Sequence, residues 1–544
     1  MKYLRIEGVL EFDNNMSHIL EADIIFINGG NLIIGWENDP ILTNVTIKLN
    51  GQKDQVNYML PNGLETIGGK AIGVYGGLDI HGKRRNVSWT TLSQTSRKGS
   101  NIINLDKPVD WLIGEEIIIT TTSFKMTESE IFRIVEISSN MTTIKLNGSL
   151  LYDHLVVRDS YSSGISYKIG AAVGLLTRNV KIIGTEYANQ DSDLYGFRII
   201  VSDYSDGVNY YKGFARIDNV QFIRPGQFSR NSGDDAKYGI LFSNLGPNNG
   251  STASYVKYSS FQNGYSVAIS ITDSSSILIE NNVIYKTLDM ALFILGHSNI
   301  IRNNLIAANY WPCTFVTWQA DYTIDYFGAI DVRLADSVVL ENNYVAGSER
   351  VGIHYRGDVC SGSVFSPSSM NHSIKNNIIV ASLAGVAIFP KWSFTNFDCL
   401  KISTFTIFKS THYGIYYQSQ QSVNIESNIL IDNQINVLSK VIFPSILQHT
   451  LSNKYYNLKN SVIVGQSSTF DCVRDVKPND FNFLKAATIN SFGAGLNSKG
   501  MIGVTWADFS SGSNAAPYKP WYFYYYQIFD NFQFKNLTII IGKT

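Results

Sequence analysis

"IENNVIYKT" (Ile279–Thr287) returns one interval later as "IRNNLIAAN" (Ile301–Asn309), and "YSSFQNGYS" (Tyr258–Ser266) precedes both at a matching distance. Phe261, Val283 and Leu305 are evenly spaced, the same step occurring twice in succession. Looser copies follow in "LENNYVAGS" (Asn342, Asn343), "IKNNIIVAS" (Asn376, Asn377), "IESNILIDN" (Asn428) and "LKNSVIVGQ" (Asn460), and an earlier one is "IDNVQFIRP" (Asn219). Each copy is a short apolar run closed by Asn, Gly or Asp, which is the pattern of strand and turn. A period of about 22 residues with no helix in it suits one coil of a parallel β-helix. The spacing predicts that Phe261, Val283 and Leu305 line one interior column. Asparagine tolerates left-handed backbone at a corner, and its amide can bond the asparagine of the next coil. The pairs Asn281-Asn282, Asn303-Asn304, Asn342-Asn343 and Asn376-Asn377 are therefore read most simply as a structural ladder, with a calcium or sugar site as the lesser alternative.

Outward from this repeat the chain stays all-β. Runs such as "ADIIFINGGNLIIGW" (Ala22–Trp36), "EEIIITTTS" (Glu115–Ser123) and "TTIKLNGSLL" (Thr142–Leu151) end at turn residues, and no low-complexity linker divides the chain. Longer gaps between the later copies imply loops inserted into coils, the usual carriers of binding. Residues 1–95 hold glycine-punctuated strand pairs without the repeat's period and read as a separate β domain. Residues 96–185 read as a connecting β segment, and residues 186–544 as the β-helix.

Composition narrows the function. Of the 544 residues, 44% are hydrophobic and only 16% charged, with Lys+Arg 44 against Asp+Glu 45. A net charge of -1 offers no bulk attraction to a polyanion, so nucleic acid is not an expected partner. No run reaches the roughly 20 apolar residues of a membrane helix, so the segment is not expected to insert. "MKYLRIEGVLEFDNN" lacks a signal peptide's apolar region and reads as a strand already under way, as in a chain cut from a longer one or given a misplaced start. Four cysteines, Cys313, Cys360, Cys399 and Cys472, have no metal spacing. Cys360 and Cys399 either close one loop as a disulfide or remain, with the others, buried thiols. Sequons at Asn15, Asn44, Asn86, Asn140, Asn147, Asn249, Asn371 and Asn536 are candidate glycosylation sites compatible with secretion.

The run "INGGNLIIGWENDP … TIKLNG … GVYGGLDIHGKRRNVSWTTL" (Ile27 to Leu92) resembles the G8 domain, with its first strands missing. "KPVDWLIGEEIIITTTSF" (Lys107–Phe124), "YDHL" (Tyr152–Leu155) and "AAVGLLTRNVKIIG" (Ala171–Gly184) resemble the segment joining G8 to a right-handed β-helix in the fibrocystins and the cell-surface hyaluronidases. "YRGDVC", "YGIYYQSQQSVNI" and "GVTWADFSSGSNAAPYKPW" place the resemblance on the fibrocystin-L branch. It implies a partial G8 domain followed by a right-handed parallel β-helix, at a cell surface or outside the cell. Its implied work is recognition or adhesion through an extracellular glycan or protein ligand, with no cofactor or metal. A glycan-depolymerising enzyme of the hyaluronidase type is the alternative, and a structural spacer in a large receptor is another. Gly170–Leu176 and Val180–Ile183 are expected as two inward-facing strands, with Thr177-Arg178-Asn179 at a corner and Arg178 a pin for carbonyls or a carboxylate.

Glycoside cleavage usually needs two carboxylates about 5 to 9.5 Å apart, and elimination needs a base beside a cation. The catalytic candidates are Asp79 and His81, on one strand face in "GGLDIHG", and Asp331 and Arg333, in "ADYTIDYFGAIDVRLADS" with Asp321, Asp325 and Asp336. Each also has a plain reading, as a satisfied edge pair or a solvated loop, and His297 reads as a corner residue. The hyaluronidases carry a Tyr-Pro-x-His-Phe-His motif where this chain has "KYGILFSNLG" (Lys237–Gly246), without histidine. That departure counts against hydrolysis.

Overall fold

The computed structural model describes residues 1–53, 55, 58–59, 66–161, 166–228, 237–246, 248–311, 328–360, 372–388, 399–419, 422–441, 455–471, 475, 502–506, 531–535 and 538–540. Among them the only α-helix is Gln190–Asp193. One sheet takes in 31 strands.

The coils around Asn282 each supply three short strands. Leu278–Glu280, Val283–Leu288 and Leu292–Ile294 pair in parallel with Ile300–Arg302, Leu305–Tyr310 and Gly328–Asp331 of the next coil. These three positions define a first, a second and a third face. Inward residues stack along the solenoid. On the second face the interior column runs from Ile47 through Ile182, Phe222, Phe261, Ile284, Ile306 and Val345 to Ile463, all at most 1% exposed. Phe222 and Phe261 stack with ring centroids 4.6 Å apart. Each such side chain contributes roughly 1.5–3 kcal/mol by leaving water.

The column corrects the expected register. Phe261 lies opposite Ile284, and it is Ser260 that pairs with Val283. The coil after Phe261 is longer by one than the coil that follows it. Its bonded partners Ser259 and Asn282 stand 23 positions apart, against 22 for Asn282 and Asn304. In a strand, a slip of one position moves a side chain to the other face. Val283 and Leu305 therefore point outward, yet both are fully buried.

What buries them is the segment expected as a connector. Trp89–Thr91, Ile102–Asn104, Glu116–Ile119, Glu130–Ile137, Thr143–Leu146 and Ala172–Leu175 form a six-stranded sheet, and the hairpin Val156–Ser160/Ser166–Gly170 is a separate two-stranded sheet beside it. This antiparallel cover lies on the outward side of the second face, where Ile118, Val157, Ile169 and Leu176 meet Val283, Leu305 and Tyr344. The approach is close enough that a Cβ on Gly174 would sit 2.8 Å from both Val283 and Leu305. Ala172–Leu175 thus belongs to the cover, and only Val180–Gly184 is a solenoid strand.

Residues 1–95 also differ from the expected separate domain. Tyr3–Ile6, Val9–Glu11, His18–Ala22, Ile24–Ile34, Val45–Leu49 and Ala71–His81 are the first coils of the same stack. Their glycines answer to the solenoid's geometry. Ile24–Ile34 and Ala71–His81 each turn a corner within one strand, with a register shift between Asn28 and Asn31. There a Cβ on Gly30 would meet Gly8 O at 2.4 Å, and one on Gly76 would meet Gly30 O at 2.3 Å.

The asparagine pairs divide two tasks. Asn281, Asn303, Asn342 and Asn376 hold φ between 53° and 55° at the corner from first to second face. The following residues, Asn282, Asn304, Asn343 and Asn377, are fully buried. Their amides run as a chain of 3.0 Å Nδ2–H···Oδ1 bonds from Asn282 to Asn304 to Asn343 to Asn377. Each Nδ2 also donates to a backbone carbonyl, of Val256, Ile279, Ile301 and Leu340 in turn. Asn428 repeats the carbonyl bond two coils on, to Ile402 O.

Candidate functional site

The chain leaves the solenoid at Gly82-Lys83 and rejoins it at Asn179, so the cover is an insertion at one corner of one coil. Lys83 N donates to Asn179 Oδ1 at 2.8 Å, and Asn179 Nδ2 donates to Ile41 O and Thr43 O. Arg178, 2% exposed, is the bolt at this seam. Its Nε donates to Tyr258 O at 2.8 Å, and its Nη1 donates to Leu175 O and Thr177 O. Burial pulls the guanidinium down to about 10, which leaves it charged at neutral pH. Arg178→Met should lower the unfolding free energy by about 2–3 kcal/mol through orphaned buried carbonyls. Limited proteolysis should then cut the cover before the coils, and equal protection of both would contradict the seam role.

Asp79 and His81 lie on the first face, as the alternation predicts, but each is engaged by another coil. Asp79, 2% exposed, binds Arg216 through two contacts, Nε–Oδ1 at 2.6 Å and Nη2–Oδ2 at 2.9 Å. His81 Nδ1 is 3.1 Å from Gly35 O, a pure acceptor, so Nδ1 carries the proton and Nε2 accepts from Tyr255 OH at 2.9 Å. Burial lowers the His81 pKa and raises that of Tyr255, so the pair is a neutral imidazole fed by a phenol. Both ring nitrogens of His81 are thus already engaged within the fold.

Asp331 and Arg333 lie on and just beyond the third face. Asp331 Oδ2 is 3.3 Å from Arg333 Nε and 3.6 Å from His354 Nδ1, and Asp331 and His354 are fully buried. Asp336 faces Arg356 at 3.5 Å, and His297 is an exposed corner residue in a bridge to Asp336. Asp321 and Asp325 fall outside the described residues. Asp79 and Asp331 sit on different faces of the solenoid. His354 escaped the sequence reading, although it lies one coil from Asp331 in register and the repeat period pointed to it. Arg216 and Tyr255 offered no such local signal.

Cys360 and Cys399 are disulfide-bonded, with Cα atoms 5.5 Å apart. Cys313 and Cys472 fall outside the described residues. A short hairpin, Tyr204–Ser205 with Tyr210–Tyr211, lies over the outward side of the third face, where Tyr204 stacks on Tyr211 at 5.5 Å and meets Tyr75 edge-on. Tyr210 and Val208 stand out from it, 65% and 90% exposed. Among the described residues no helix is long and apolar enough to cross a membrane.

With this geometry the comparisons agree. The G8 domain model matches residues 1–93, and the right-handed β-helix region model matches residues 245–473. The chain is a G8-domain protein built on a right-handed parallel β-helix. It is similar to fibrocystin-L: 35% identical to that of Mus musculus over 507 residues, 92% of this chain and 12% of that protein. To fibrocystin-L of Homo sapiens it is 34% identical over 535 residues, 96% of this chain and 12% of the relative. Fibrocystin of Mus musculus follows at 28% over 526 residues, again 12% of its length. The chain therefore spans about an eighth of the curated relatives it matches. Among solved structures, the tailspike gp61 of Pseudomonas phage phi297 aligns at 12% identity over 81% of this chain and 71% of the tailspike, with a TM-score of 0.20.

Proposed function

We propose that this chain is a non-enzymatic recognition segment of a cell-surface or extracellular protein, displaying loops from a rigid rod to a glycan or protein ligand. The observation that carries the reading is the neutralisation of every catalytic candidate among the described residues by an ion partner or a buried hydrogen bond. A retaining or inverting glycosidase needs a free carboxylate beside a second one; Asp79 is spent on Arg216 and Asp331 on Arg333. The disulfide supports an oxidising compartment, where such bonds persist. The likeness to fibrocystin-L supports the same assignment. The tyrosine hairpin suits display, since Tyr gives large contact area at little entropic cost.

High-molecular-weight hyaluronan incubated with the purified chain should keep its length by size-exclusion chromatography. Immobilised glycans or matrix proteins should retain the chain. Shortened polymer would replace this reading with the hyaluronidase-type alternative, and absence of both cleavage and retention would leave the spacer.

A further inference from the structure

We infer that Asn15, Asn44, Asn86, Asn140, Asn147 and Asn249 carry N-linked glycans, and that all but Asn249 are gathered on the cover and on the corner from first to second face, away from the third face of the solenoid. The inference rests on the secretory placement proposed above. All six of these asparagines, the sequons within the described residues, are exposed, whereas the ladder asparagines are fully buried. The reacting atom separates the two sets more sharply. In the ladder every Nδ2 donates to a carbonyl and is shut off from any transferase. At Asn44, Asn86, Asn140, Asn147 and Asn249 the Nδ2 makes no hydrogen bond within the described residues. Where these side chains are engaged, it is through Oδ1, which accepts from Arg133 N at Asn147 and from Ser138 Oγ and Thr142 N at Asn140. Asn15 Nδ2 donates to Asp13 Oδ1 in an exposed turn, a bond that one remaining amide hydrogen preserves.

Glycosylation forms a bond from Nδ2 to the anomeric carbon of a lipid-diphosphate oligosaccharide. The anomeric C–O bond breaks, the lipid diphosphate leaves with the electron pair, and one amide proton is lost. Oδ1 stays an acceptor, so the local hydrogen bonds of the fold survive modification.

Five of the six positions are one-sided. Asn15 and Asn44 occupy the turns that lead from the first face into the second, and Asn86 follows the same corner where the chain departs for the cover. Asn140 and Asn147 mark turns of the cover, which itself hides the second face. Asn249 sits between Ile240–Ser243 of the third face and Tyr255–Lys257 of the first. No described sequon lies within a third-face strand or on the turn from second to third face, but the tyrosine hairpin springs from the turn between third and first face one coil before Asn249, where Gly246 N donates to Asp203 Oδ2. Glycans of this layout would exclude partners from the cover and the corner from first to second face, and the glycan of Asn249 would stand beside the hairpin.

The test is secretion of the full chain behind a supplied leader from a glycosylating eukaryotic cell, followed by enzymatic glycan release in heavy-oxygen water and peptide mass spectrometry. Conversion to labelled aspartate at the six positions is expected, with a single folded species before and after release. Secreted protein with the Cys360–Cys399 bond formed but the six asparagines unlabelled would overturn the inference while leaving the compartment reading intact. Glycan on the supplied-leader protein, but neither glycan nor disulfide on the chain from its native source, would instead sink the compartment reading.

Discussion

Asn304→Ala is expected to lower the unfolding free energy by about 4 kcal/mol, seen as a drop in denaturant midpoint with little change in slope. The side chain serves four partners at once. Its Oδ1 accepts from Asn282 N at 3.1 Å and Asn282 Nδ2 at 3.0 Å, and its Nδ2 donates to Ile279 O and Asn343 Oδ1 at 3.0 Å each. Truncation strands the Asn282 backbone N–H in a site with no exposure. A buried orphan costs about 1–3 kcal/mol, and at least two are created. The neighbouring position sets the control. Asn303 holds φ 54°, so Asn303→Gly should be nearly neutral, while Asn303→Val should cost about 1–2 kcal/mol in strain. If Asn304→Ala and Asn303→Gly prove equally mild, the amide ladder contributes nothing and the coils are held by apolar stacking alone.

The same two residues show what the sequence could convey. Paired asparagines at a fixed interval announce a corner that must turn left and an amide that must be satisfied, and both demands are local. Register is not. Phe261, Val283 and Leu305 fit an even comb, but one coil is a residue longer, so the comb joined an inward phenylalanine to two outward aliphatics. The cover was hidden for a related reason. Glu130–Ile137 alternates buried and exposed residues as a solenoid strand does, and local alternation cannot tell an antiparallel partner from a parallel one. The first coils lost their period because Ile25 and Ile72, adjacent in the stack, are 47 positions apart. Asp79 and His81 were found by alternation alone, but their partners Arg216 and Tyr255 lie 137 and 174 positions further on. The plain reading of the pair therefore needed coordinates, whereas the suspicion of catalysis did not.

Asp358→Asn should stabilise the chain by about 3–4 kcal/mol at pH 8 and by almost nothing at pH 4. Asp358 is buried beside the disulfide, on the short strand Asp358–Val359 that pairs with Cys399–Ser403. Its Oδ1 finds no hydrogen bond among the described residues, and desolvation pushes its pKa up to about 7, with Lys401 only partly offsetting. Desolvation likewise raises Asp432 to about 6, although Ser467 donates to it twice. The sign follows from linkage: a carboxyl whose folded pKa exceeds its unfolded 3.8 makes the folded state the better proton binder, so its contribution is full below the unfolded value and lost as pH rises through the folded one. A gap of about three units corresponds to about 4 kcal/mol. The wild-type curve conceals this, because burial holds His372 and His412 down to about 4, and these oppose folding as pH falls below their unfolded 6.5. Two opposed slopes offset one another between about pH 4 and 6.5, and the asparagine variant removes one of them. Melting temperatures of parent and variant should therefore diverge on going from pH 4 to pH 8, with the variant higher. A constant difference across that range would mean that Asp358 is hydrated and that the last coils are looser than their stacking implies.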